Sequence, residues 1–165
     1  MNPIDAILME MSQEAATTRR LLERVPAQHL GWKPHEKSMT MGRLAVHIAE
    51  IPGWISTVLD KDGFDVASGG HTPPTVQSAA ELVEMLDRNI AMAEAAIRKQ
   101  TLDRLSATWR ITKQGKVMVE MPRMGVIRTL LLNHLIHHRG QLSVYLRLKD
   151  VPLPSIYGPT ADTPM

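Results

Sequence analysis

Apolar residues recur at three- and four-residue intervals along four segments of this chain, and that spacing commits most of it to amphipathic helix. Ile4, Ile7, Leu8, Met11, Ala15, Leu22 and Val25 form the first stripe, which stops at Pro26. The second spans roughly residues 40–59 through Met41, Leu44, Ile48, Ile51, Ile55 and Val58. Pro52 lies inside it without an amide donor, so a kink or break is expected near Ile51. The third opens on Ser78-Ala79-Ala80-Glu81, a capping-box spacing, and continues through Leu82, Leu86, Ile90, Ala93 and Ile97. The fourth, roughly 123–149, places Met124, Ile127, Leu131, Leu135, Leu142 and Leu146 on one face.

Four such helices in a chain of 165 residues, 44% of them apolar, make one domain over residues 1–165. The expected fold is an all-α four-helix bundle with a short β-hairpin between the third and fourth helices. There Trp109 and Ile111 alternate with polar residues, Gln114-Gly115 supplies a turn, and Val117, Val119 and Met121 alternate again. The connection from Asp60 to Gln77 is long enough to cross the bundle, which permits parallel second and third helices. Residues 150–165, broken by Pro152, Pro154 and Pro159, form an extended tail over the surface or a neighbouring subunit.

Composition narrows the chemistry. Cysteine is absent, which excludes disulfides, thiolate zinc fingers and a cysteine nucleophile; any sulfur chemistry needs a thiol from outside. Lys and Arg exceed Asp and Glu by 19 to 17 and are scattered, so no nucleic-acid partner is expected. The start Met1-Asn2-Pro3-Ile4-Asp5 lacks the pattern of a secretory signal, and the apolar tract around Leu130–Ile136 is cut by Asn133 and His134. No membrane partner is expected, and the expected location is the cytoplasm.

The histidines carry the functional signal. His29, His35 and His71 fall in predicted connections and are assigned no function. His47 sits on the apolar stripe of the second helix between Leu44 and Ile51, where an unpaired imidazole costs roughly 1–3 kcal/mol. Alone it reads as a core histidine bonded to a carbonyl or carboxylate. His134 and His138, four apart on the fourth helix, can aim their nitrogens at one point, although His137 offers a competing pair with His134. If the second and fourth helices share a core, His47 completes a three-histidine site. Three neutral imidazoles leave a divalent cation's charge uncompensated, which favours water, hydroxide or a thiolate in an open position.

These residues resemble the DinB/YfiT-like superfamily of metal-binding bundles. The resemblance is strongest over Asn133-His134-Leu135-Ile136-His137-His138-Arg139-Gly140-Gln141, Tyr145-Leu146-Arg147 and Pro154-Ser155-Ile156-Tyr157-Gly158. Trp32-Lys33-Pro34, the stretch from Gly42 through His47 to Glu50, and Trp54 extend it. The resemblance implies up-down-down-up topology, a homodimer, and nickel or zinc held by His47, His134 and His138. It also favours His138 over His137, because the second ligand of the pair directly precedes Arg-Gly-Gln.

Relatives that act on bacillithiol or mycothiol suggest a metal-dependent thiol S-transferase or thiol-dependent isomerase, with a low-molecular-weight thiol and an electrophile as substrates. The alternatives are a metal-dependent hydrolase and a non-catalytic metal- or ligand-binding stress-response protein. Around the ligands, Glu50 could fix an imidazole tautomer. Asn133 and Gln141 could orient a bound molecule. Arg139 is a candidate for a substrate carboxylate, with an ion pair to another helix as its competing role. Trp54 and Tyr157 are candidate pocket walls, with packing as theirs.

Overall fold

The first stripe folds as helix α1 (Pro3–Leu22), capped by the Asn2 carboxamide, which accepts from the Ile4 amide at 3.0 Å. The structure, a computed structural model, describes residues 2–164. Helix α2 (Met41–Glu50) is capped in the same way by the Thr40 hydroxyl. At Pro52 the chain tightens into a 3₁₀ turn over Ile51–Gly53 before resuming as α3 (Trp54–Asp60), so the expected break falls where proline removes the donor. Helix α4 (Ala79–Arg98) begins at Ser78, whose hydroxyl accepts from the Glu81 amide; the Glu81 carboxylate accepts from the Gln77 amide at 3.2 Å.

A short helix α5 (Leu102–Ser106) leads into β2 and β3, and the hairpin is part of a larger sheet than expected. Strand β1 (Gly63–Asp65) pairs parallel to β2 (Thr108–Lys113), which pairs antiparallel to β3 (Lys116–Pro122), in the order β1-β2-β3. The chain is therefore mainly helical with a three-stranded sheet, and the connection after α3 contributes a strand. Periodicity could not reveal a strand of three residues. Backbone proximity places it: a Cβ on Gly63 would lie 2.7 Å from the Arg110 carbonyl oxygen. The hairpin turns at Gln114 and Gly115, with φ of 51° and 79°, and the Asp65 carboxylate accepts from both turn amides at 3.2 Å.

The fourth segment is not one continuous α-helix. After a short turn α6 (Arg123–Gly125), residues Val126–Leu132 widen into a π-helix, and α7 (Asn133–Arg147) follows. Both flanks are pinned to different partners. The fully buried Arg123 guanidinium donates to the carbonyls of Val58, Lys61, Ala107 and Thr108 and pairs with Asp62. Arg139 ties α7 to α1. The wide turns lie between these two anchors and immediately precede His134.

Helix α1 packs on α4 and α7, and α2 packs on the same two helices. Leu44, Ile48, Leu82, Leu86, Leu142 and Leu146 are completely buried where they meet. Each such side chain contributes about 1.5–3 kcal/mol of transfer free energy, so the faces bearing His47 and His138 are held by strong apolar contacts. Past α7 the chain reverses at Asp150 (φ 55°), and the tail folds back on its own chain. Asp162 pairs with Arg147 and accepts from the Leu153 amide at 2.9 Å. Among the described residues, no helix is long and apolar enough to cross a membrane.

Candidate metal centre

His47 comes from the last turn of α2, and His134 and His138 come from the first two turns of α7. One ring nitrogen from each of the three lies within 4.8 Å of the others. The Nε2 atoms of His47 and His134 are 3.3 Å apart, and those of His134 and His138 are 2.7 Å apart. Two nitrogens at about 2.05 Å from a tetrahedral ion would be about 3.3 Å apart, so the first spacing is that of ligands on one cation. The second is tighter, and an ion would spread that pair by about 0.6 Å.

Tautomers support the fit. His138 Nδ1 lies 2.6 Å from Gln141 Oε1, so it donates its proton there and leaves a lone pair on Nε2. That lone pair faces His134 Nε2 at 2.7 Å, a position from which both nitrogens can turn to one cation.

The electrostatics agree. Burial first, and then the nearby His138 and His134 rings, lower the pKa of His47 to about 4. Burial is also the leading cause of the lowered values of His134 and His138. All three rings are therefore neutral and able to coordinate at neutral pH.

The other expected site residues divide sharply. Gln141 is at the centre and orients a histidine ring. Trp54 also reaches it, its ring 5.4 Å from that of His47 and 6.2 Å from that of His134. The His137 ring meets that of His138 edge-on at 4.9 Å but is outside the nitrogen cluster.

Glu50 does not fix a ligand tautomer as expected. Its Oε1 accepts from His71 Nε2 at 2.8 Å, and its Oε2 lies 3.7 Å from an Arg43 nitrogen, because the crossing connection brings His71 onto that end of α2. His71, assigned no function from its place in a connection, is thus on the α2 residue one turn past His47. Asn133 turns away and accepts from Arg128 at 2.6 Å.

Arg139 and Tyr157, the other substrate candidates, are engaged with α1. Arg139 is 1% exposed; it pairs with Glu14 at 2.7 Å and donates to the Glu14 carbonyl, the Thr18 hydroxyl and the Tyr157 hydroxyl. The Tyr157 hydroxyl lies 2.8 Å from both Glu14 oxygens, so the two residues latch the tail to α1 and α7. Sequence reasoning missed Arg43, although its place one turn before His47 on the same face was legible.

The DinB family model matches residues 1–164 of the chain. The chain is 27% identical over 159 residues to the uncharacterized protein YrdA of Bacillus subtilis, covering 96% of this chain and 90% of that protein. It is also 27% identical over 146 residues to the uncharacterized protein YjoA of the same organism, covering 79% and 80%. The crystal structure of YjoA, described as DinB-like, superposes with a TM-score of 0.70 at 19% identity over 92% of this chain and 97% of that one. A DinB-like protein from Bacillus cereus gives 0.71 at 22% identity, over 93% and 97%. These two likenesses speak to the fold.

Proposed function

The chain belongs to the DinB family, and from that premise we propose that His47, His134 and His138 hold a divalent metal, nickel or zinc, at which a low-molecular-weight thiol reacts with an electrophile. The reaction is a thiol S-transfer or a thiol-dependent isomerisation. The observation that carries this reading is the convergence of three neutral imidazole nitrogens, with no carboxylate among them, from two distant stretches of chain.

When bound, the metal would supply Lewis acidity that lowers the pKa of an incoming thiol toward neutrality. The chain's own residues do the rest. Gln141 holds the His138 ring in its donating orientation. Trp54 lies against the His47 and His134 rings and would wall one side of the site. The absence of cysteine accords with a sulfur nucleophile brought by the substrate, in a reducing compartment such as the cytoplasm. An up-down-down-up bundle acting as a homodimer completes the proposal.

The test is elemental analysis of untagged protein, followed by incubation of nickel- or zinc-loaded protein with small thiols and reactive acceptors. Stoichiometric metal and metal-dependent thiol consumption are expected. Metal content unchanged in His134→Ala would overturn the site. Stoichiometric metal with no thiol consumption across a broad panel would favour a binding protein, and hydrolysis without thiol would favour a hydrolase.

A further inference from the structure

We propose that the small molecule taken up at the histidine centre carries a carboxylate, and that the Arg43 guanidinium receives it. This rests on the reading of the histidines as a metal centre and adds a second recognition point. Arg43 and Glu50 are seven residues apart on α2, about 10.5 Å along a helix axis, yet a guanidinium nitrogen of Arg43 lies 3.7 Å from Glu50 Oε2. The Arg43 side chain therefore runs along the helix past His47, which sits between them. Arg43 and His47 are four residues apart on α2 and so share one face of the helix, the face that bears the centre.

The hydrogen bonding singles out this arginine. Arg123 and Arg139, the two fully buried arginines, spend their donors on carbonyls, a hydroxyl and carboxylates. The buried NH1 of Arg43, by contrast, finds no hydrogen-bond partner among the described residues, and neither does Glu50 Oε2. At 3.7 Å the pair is an ion contact without a hydrogen bond. His71 holds the other Glu50 oxygen at 2.8 Å, which fixes the carboxylate where it attracts the guanidinium without saturating it. NH1 itself is buried, but the Arg43 side chain as a whole is 35% exposed, so an incoming carboxylate meets the exposed remainder of the side chain.

Charge balance points the same way. Arg43 and Glu50 cancel, and three neutral imidazoles leave a divalent cation uncompensated. A ligand with one anionic sulfur and one carboxylate would neutralise the site, whereas a thiol with no second anionic group would leave a surplus positive charge among half-buried rings.

The test uses cobalt(II)-loaded protein titrated with 3-mercaptopropionate and with its uncharged counterpart 3-mercapto-1-propanol, read by thiolate-to-cobalt absorption. Wild type is expected to prefer the carboxylate thiol by about tenfold. Arg43→Gln should reduce that preference to about twofold or less with cobalt content and affinity for the neutral thiol unchanged, and Arg43→Lys should restore part of it. An equal preference in wild type and Arg43→Gln overturns the proposal and leaves Arg43 as a structural partner of Glu50. If cobalt does not load or neither thiol binds, the metal reading fails separately. The arginine is then decided in metal-free protein by titrating propionate against the Arg43 Nε–H resonance, assigned by its loss in Arg43→Gln. A saturable shift supports the anion site, and no shift overturns it.

Discussion

His138 donates from Nδ1 to Gln141 Oε1 at 2.6 Å, one turn along the same helix, and this contact aims its other nitrogen at His134. Replacing Gln141 with leucine keeps the helix but removes the acceptor that fixes the ring. Metal affinity is expected to fall about 10–100-fold with stoichiometry retained at high metal. Competitive titration against a chelator measures it; an unchanged affinity would mean that packing alone orients His138.

The depressed histidine pKa values set a pH dependence with a definite sign. In the unfolded chain His47 returns to its ordinary value of 6.5, whereas in the folded chain it titrates at about 4. On acidification the unfolded state binds the proton first, so folding is penalised as pH falls. The stability associated with a neutral His47 is complete above pH 6.5 and is lost as the pH drops toward 4. The melting temperature of metal-free wild type should therefore fall more steeply across this window than that of His47→Gln. Parallel curves would contradict the assignment.

Metal that binds only the folded chain must stabilise it by mass action. At a free concentration a hundred times the dissociation constant the gain is about 2.7 kcal/mol. Thermal denaturation with and without added nickel or zinc should show this increase, and a chelator should reverse it. His134→Ala should melt at the same temperature in both conditions.

Arg139 is expected to matter for stability and not for metal. Its guanidinium is buried against the Glu14 carboxylate, so Arg139→Met strands an acid whose partner is gone. The expected loss is about 3–5 kcal/mol in denaturant unfolding, with metal stoichiometry preserved in whatever protein folds. Tyr157→Phe removes only the hydroxyl shared by Glu14 and Arg139 and should cost about 1–2 kcal/mol. Metal loss in Tyr157→Phe, with the fold intact, would tie the tail to the centre.

The buried Arg123 carries a similar structural load. Arg123→Met leaves the carbonyls of Val58, Lys61, Ala107 and Thr108 without this donor. A loss of about 3 kcal/mol or more is expected, and hydrogen exchange should rise first in β1 and β2.

What the sequence determined by itself was local. Apolar spacing defined the helices, Pro52 marked the break, Gln114-Gly115 marked the hairpin, and the four-residue interval put His134 and His138 on one face. Each follows from the backbone period of a single element, which neighbouring residues specify. The resemblance carried by the histidine motifs was what joined them to His47. The tertiary structure alone decided the contacts between elements. His47 meets His134 across 87 residues, His71 takes Glu50 across 21, and Arg139 reaches Glu14 across 125. It also decided the π-helical stretch before His134, which lies between anchors at Arg123 and Arg139 that belong to different neighbours. Periodicity says which side chains share a face; only packing says which faces meet, and at what register.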